Sequence, residues 1–335
     1  MPATLPAATA TSPFPIALTD IHAARDRISR YLAPTPLRAY PTLDDALGAG
    51  IRVLVKHENH QPTGSFKVRN GLSFMTALSD DERRRGVVAA TRGNHGLGLA
   101  HAGRLLGVPV TVCVPLGNNP EKNAAARALG AELVEGGEDY DAAVAVADAL
   151  VRERGLVLAH STNDPRVIAG AATMSLEMLE EAPDVDALVL SVGGGSQAVG
   201  AIVTSRALAP RARVYAVQAA GAAAQHDSWH AGRRVTVARA ATFADGLATR
   251  STYDLTFAAL REGLAGFVTV SDAELAEAMR LLLRTTHNLV EGAGAAGLAA
   301  LFRLREELAG CRVAIVLSGA NVDEGTLRRV VNGEI

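Results

Sequence analysis

The stretch Gln61-Pro62-Thr63-Gly64-Ser65-Phe66-Lys67-Val68-Arg69-Asn70 decides how the chain is read. It follows a short β-rich run at 51–56 and opens a helical pattern that continues toward residue 78. Pro62 and Gly64 signal a tight turn, and Ser65 is placed to cap the helix. Lys67 then falls in the first helical turn, where main-chain N–H groups lack partners and carry partial positive charge. A lysine there has its ammonium form disfavoured. The choice makes sense if the amine must lose a proton and bond to a carbonyl. Taken alone, the stretch also fits an exposed lysine beside a helix cap.

Outward from this stretch, strand-like and helical patterns alternate. Helices are predicted over 20–32, 95–106, 121–129, 139–153, 165–180, 197–208, 272–287 and 293–307, with Pro34-Thr35-Pro36 stopping the first. Apolar runs at 51–56, 87–90, 109–114, 132–134, 187–192, 213–217 and 312–317 read as strands. Residues 82–86 read as a polar break, and 219–252 as loops with short helices. The alternation predicts an α/β protein with two domains, each a mostly parallel twisted sheet flanked by helices. A chain of 335 residues suits one large and one small domain.

Composition excludes several classes. Hydrophobic residues make up 48%, enough for a sizeable core. Net charge is −2 and no basic run occurs, which argues against nucleic acid or an anionic membrane as partner. No apolar run reaches membrane-spanning length. Residues 1–18 are rich in Ala, Pro and Thr and lack Lys and Arg, so they read as a disordered arm rather than a secretory signal. Cys113 and Cys311 each lie in or beside a strand-like run and read as buried free thiols, which fits a reducing cytosol. Two cysteines without a CxxC supply too few ligands for a metal.

Three further strand-to-loop junctions are unlike linkers, and in α/β sheets ligands bind beyond the C-terminal ends of strands. Gly93-Asn94-His95-Gly96 opens a helix. Its glycines let N–H groups approach an anion, and Asn94 offers a donor and an acceptor to a flat polar ligand. A glycine-rich turn with an N-cap Asn accounts for it equally. Gly193-Gly194-Gly195-Ser196 joins a fully apolar strand to a helix and presents a row of N–H donors with a hydroxyl, a cup for one phosphate monoester. It is neither GxxxxGK[ST] nor GxGxxG, so a nucleoside triphosphate or dinucleotide is not indicated. Tight packing is the plainer explanation of the same glycines. Ser318, at the end of the last apolar strand, would donate to an aromatic nitrogen or simply satisfy the strand end. A carbonyl for the amine, a phosphate for the glycines and a ring nitrogen for the hydroxyl together describe pyridoxal 5′-phosphate.

With these motifs in this order, the chain resembles the threonine dehydratase and serine racemase branch of the fold type II, tryptophan-synthase-β-like pyridoxal phosphate enzymes. Gly64-Ser65-Phe66-Lys67-Val68-Arg69, Gly93-Asn94-His95-Gly96, Gly193-Gly194-Gly195-Ser196 and Ser318-Gly319-Ala320-Asn321 carry the resemblance, which spans about residues 20–330. It implies that Lys67 attaches covalently to the cofactor and that Phe66 lies against the ring. Asn94 would meet the 3-hydroxyl oxygen, Gly193, Gly194, Gly195 and Ser196 the phosphate, and Ser318 the pyridine nitrogen. Thr91, Arg92, Gly93 and His95, with Ser65, would receive the substrate. A small domain over 86–163 would be inserted into a large domain of 19–85 and 164–335. The implied protein is a cytoplasmic homodimer acting on a small amino acid. The implied reaction is loss of water, then ammonia, from a β-hydroxy amino acid such as L-threonine or L-serine. A bulkier or acidic analogue, 3-hydroxyaspartate or an aryl-serine, is the alternative, with β-replacement or racemisation on the same fold as another. Because a serine does not hold a pyridine nitrogen protonated, Ser318 favours prompt loss of the β-group.

The chain departs from the pattern at several places. Serine racemases carry a serine where this chain has Arg92, and a guanidinium cannot replace that hydroxyl as a base, so poor racemisation is expected. Arg92 would serve a second carboxylate or face solvent. Relatives with a divalent-cation site use acids where this chain has Gln218, Ala222 and Ala224, so no such metal is expected. Ala169-Gly170-Ala171-Ala172-Thr173 replaces a more polar segment near the substrate. The chain ends soon after the last motif, and feedback by isoleucine through a C-terminal regulatory domain is not expected.

Overall fold

The computed structural model describes residues 12–335. Residues 1–11 of the expected arm lie outside the described residues, while Ile16 is already buried in the core.

The strands are β1 (Leu37–Ala39), β2 (Arg52–Lys56), β3 (Val87–Ala90), β4 (Val110–Val114), β5 (Glu132–Glu135), β6 (Val157–Leu158), β7 (Ala187–Ser191), β8 (Arg213–Ala219), β9 (Gly266–Val270) and β10 (Arg312–Val316). They form a six-stranded sheet in the order β1-β2-β10-β7-β8-β9 and a four-stranded sheet in the order β5-β4-β3-β6. All pairings are parallel except β1 with β2 at one edge. β7 shows why its run is apolar without alternation. Ala187 and Val189 pack into one core cluster and Leu188 and Leu190 into the other, so both faces are covered. Helices Asp272–Thr286 and Gly292–Arg303 cover the first face, and Pro165–Glu181 and Ser196–Leu208 the second.

Several elements differ from the sequence expectation. Residues 82–86 are not a break: Asp80–Arg85 is a helix, held by a Ser79–Glu82 capping box with arginines in its last turn. It buries nothing, so no apolar period announces it. The strands β1, β6 and β9 and the helices Pro41–Leu47, Asp254–Gly263 and Glu324–Val331 were not expected; most are short or peripheral. Cys113 is buried, but Cys311 is only partly covered because it stands at the rim, just before β10. Among the described residues no helix is long and apolar enough to cross a membrane.

Two packing features position the lysine. Helix Lys67–Thr76 meets helix Asn94–Leu106 backbone to backbone: a Cβ on Gly71 would lie 2.4 Å from Gly98 O, and one on Gly98 2.3 Å from Lys67 O. Glycine at both positions is the condition for that approach. On the other side Arg69 is buried in an ionic cluster. Its guanidinium donates to Glu58 at 2.8 and 2.9 Å and to Glu177 at 2.6 and 2.8 Å. Lys56 Nζ also donates to Glu177, at 2.6 Å. The cluster ties β2, the lysine helix and helix Pro165–Glu181 together.

Candidate active site

The segments that follow β2, β3, β7 and β10 line one cavity of about 500 Å³. It gathers Phe66, Lys67, Thr91, Arg92, Gly93, Asn94, His95, Gly193, Gly194, Gly195, Ser196 and Ser318. Ser65 is absent from the lining. It is fully buried, its Oγ has no partner, and it does not cap the helix; Phe66 is the N-cap residue, with no side-chain cap bond. The main chain at this point is instead zipped to the loop after β10. Phe66 N–H donates to Ser318 O at 3.0 Å and Ala320 N–H to Gly64 O at 2.8 Å. This pairing brings Lys67 and Ser318 to the same wall.

Lys67 Nζ donates to Ser161 O at 3.3 Å and lies 4.8 Å from the centroid of the Phe66 ring. Among the described residues no carboxylate pairs with it, and burial pushes its ammonium pKa down to about 8. An amine so placed is available as a nucleophile near neutrality.

The glycine loop is tied on its carbonyl side. Gly193 O accepts from Thr249 Oγ1 at 3.3 Å, Gly194 O from Thr256 Oγ1 at 2.9 Å and Gln225 Nε2 at 3.3 Å, and Gly195 O from Val199 N–H at 3.0 Å. The N–H groups of Gly193, Gly194 and Gly195 have no acceptor among the described residues. They stand at the start of helix Ser196–Leu208, where the helix dipole adds positive potential. Gln218 braces the same region. Its carbonyl accepts from Gln225 and His226 N–H at 3.1 Å each, and its amide donates to Thr249 Oγ1 at 3.1 Å.

Asn94 is held at both ends of its amide. Oδ1 accepts from Asn321 Nδ2 and Nδ2 donates to Glu291 Oε1, each at 2.7 Å. One amide hydrogen remains for a ligand. His95 is buried, and its Nε2–H donates to Ala159 O at 2.9 Å. Burial, and then the Lys67 charge, pushes its pKa down to about 3, so the ring is neutral and Nδ1 is a bare acceptor without a partner. What His95 can offer an anion is therefore its main-chain N–H.

Sequence reading missed Glu291, Lys122, Tyr140, Ser161 and Arg250, all of which line the cavity. Only Glu291 left a signal: an acid directly before the small-residue run Gly292-Ala293-Gly294-Ala295-Ala296 is a costly place for a charge. Lys122 comes from a separate helix, Pro120–Ala128, and reaches Asp245 at 2.7 Å.

Each feature answers one group of pyridoxal phosphate. The desolvated Lys67 amine suits the aldehyde, the free N–H row the phosphate, and the remaining Asn94 hydrogen the 3-oxygen; Ser318 lines the same cavity.

Known proteins resemble the chain in sequence and in fold. The chain is 36% identical over 95% of its length to an L-threonine ammonia-lyase of Thermotoga maritima, covering 78% of that protein. It is 36% identical to an L-threo-3-hydroxyaspartate ammonia-lyase of a Pseudomonas species, over 91% of this chain and 95% of that one. A solved threonine deaminase, that of T.th., superposes with a TM-score of 0.86 at 39% identity, over 92% of this chain and 99% of that one. The model of the pyridoxal-phosphate dependent enzymes matches residues 28–319. The fold, the cavity and these matches agree: the chain belongs to the family of pyridoxal-phosphate dependent enzymes.

Proposed function

We propose that the protein is an ammonia-lyase that removes water and then ammonia from a β-hydroxy amino acid of the L-threonine or L-serine kind. The observation that carries this reading is the unpaired, desolvated Lys67 amine in one cavity with three unpartnered N–H groups. The names of similar ammonia-lyases support it.

Bound pyridoxal phosphate supplies an aldehyde to take the substrate amine and a ring to spread charge from Cα. Gly193 to Ser196 would hold its phosphate, Asn94 its 3-oxygen and Ser318 its ring nitrogen, with Phe66 beside the ring. The Lys67 amine would take the Cα proton. The Lys67 ammonium so formed would return that proton to the β-hydroxyl, which leaves as water as the Cβ–O bond breaks. The released enamine tautomerises and hydrolyses to a 2-oxo acid and ammonia. The N–H groups of Arg92, Asn94 and His95, at the start of helix Asn94–Leu106, would receive the substrate carboxylate, because Thr91 N–H is already given to Cys113 O and Gly93 N–H to Thr91 Oγ1.

We take residues 86–163 as a small domain within a large one; all strands of the smaller sheet fall in that range. Two free thiols support a cytoplasmic location, and the resemblance supports a homodimer. The test is release of 2-oxo acid by the holoenzyme from a panel of β-hydroxy amino acids, with a chiral assay and added thiol alongside. Release that Lys67→Ala abolishes is the expected result. D-serine or a thioether product without 2-oxo acid would overturn it.

A further inference from the structure

The turn between β6 and helix Pro165–Glu181 touches the site at three points. Ser161 O is the one hydrogen-bond acceptor of Lys67 Nζ among the described residues, at 3.3 Å. Thr162 is buried against the glycine loop, with its Oγ1 2.0 Å from where a Cβ on Gly194 would stand. Asn163 Oδ1 accepts from Leu255 N–H at 3.0 Å, which fastens the turn to helix Asp254–Gly263.

One ring holds this turn closed. His160 Nδ1 accepts from Thr162 N–H at 3.0 Å and from Asn163 N–H at 2.8 Å. Neither N–H has another acceptor among the described residues. The arrangement is the one in which Asn and Asp side chains close their own turns. A nitrogen that takes two N–H donors carries no hydrogen, so the ring is neutral with its proton on Nε2. Burial, and then the Lys67 charge, lowers the His160 pKa and keeps the ring in that state. The ring also lies edge-on to Tyr253, with centroids 5.0 Å apart. His160 does not line the cavity, so whatever it does for the site passes through the turn.

We propose that His160 is a positioning residue for the lyase reaction: its bare Nδ1 sets the turn so that Ser161 O holds the Lys67 amine and Thr162 backs the glycine loop. The carbonyl is then the fixed place to which the amine returns whenever it is not bonded to carbon. The proposal rests on the reading of Lys67 as the point of cofactor attachment.

The test separates the acceptor from the ring. His160→Asn keeps an oxygen that takes the Thr162 N–H and drops the ring, whereas His160→Phe keeps a ring against Tyr253 and drops the acceptor. Cofactor affinity of the apoprotein, read by absorbance titration, should stay near the native value in His160→Asn and fall about tenfold in His160→Phe. The second readout is the rate of cofactor attachment against pH. Its inflection, set by the amine at about 8, should hold in His160→Asn and drop in His160→Phe, because the ammonium loses its one acceptor while it stays buried. A role in packing alone predicts the reverse order, with His160→Phe native-like and His160→Asn impaired. That order, or equal values for the two variants, would overturn the proposal and leave the lyase standing. If borohydride traps cofactor on Lys67→Ala as readily as on the native chain, the reading of the site falls and the proposal with it.

Discussion

Asn94 and Glu291, 197 positions apart, share a 2.7 Å hydrogen bond from the asparagine amide to the buried carboxyl. It joins the start of helix Asn94–Leu106 to the start of helix Gly292–Arg303. With Asn321 holding its carbonyl, Asn94 has one orientation, and its free amide hydrogen has one direction. Burial pushes the Glu291 carboxyl pKa up, against the pull of Lys122 and of Asn94 itself.

Glu291 should therefore matter as an acceptor more than as a charge. Glu291→Ala is expected to weaken pyridoxal phosphate binding about tenfold, because Asn94 loses its partner. Glu291→Gln, which can still accept from Asn94, should lose less. An absorbance titration of the apoprotein with cofactor separates them, and equal affinities for all three chains would mean that Asn94 does not orient the cofactor.

Attachment of the cofactor should follow the Lys67 amine. Burial lowers its pKa to about 8, and only the neutral form attacks an aldehyde. The attachment rate in apoprotein should rise about tenfold per unit below pH 8 and level off above it. Stopped-flow absorbance over that range shows the inflection; one near the ordinary lysine value would place the amine in water.

Gly194 has no room for a side chain: a Cβ there would lie 2.0 Å from Thr162 Oγ1 and 2.7 Å from Thr162 Cβ. Gly194→Ala should push the loop out of register and cut cofactor affinity by about tenfold or more, with far-UV circular dichroism unchanged. Unaltered affinity would show that the loop yields without moving its N–H groups.

Arg69 is worth more than its place behind the lysine suggests. Arg69→Met would leave Glu58 buried without its guanidinium partner, at a cost of about 3–5 kcal/mol. Urea unfolding measures it. Glu58→Gln added to Arg69→Met should recover part of the loss, because the unpaired charge is gone; no recovery would point to lost packing as the cause.

Much of the site was legible because each motif combines a special residue with a strand end. Lys67, Asn94 and Gly193 to Ser196 each follow a short apolar run, and all meet in one cavity. Ser65 was misread because its hydroxyl matches an N-cap by spacing, whereas pairing of its segment with the loop after β10 moved the cap to Phe66. Helix Asp80–Arg85 was missed because exposed helices carry no apolar period. Glu291 and Lys122 were missed because side chains from distant segments meet the motifs only in space.

By itself the sequence determined the strand–helix alternation, the lysine and the phosphate-type loop. Such features arise from local periodicity and from residues whose backbone freedom or chemistry is distinctive. Only the tertiary structure decided which N–H groups stay free and which acceptors are already taken. Those are differences among long-range pairings, and a chain read in order holds no record of which groups have already found partners.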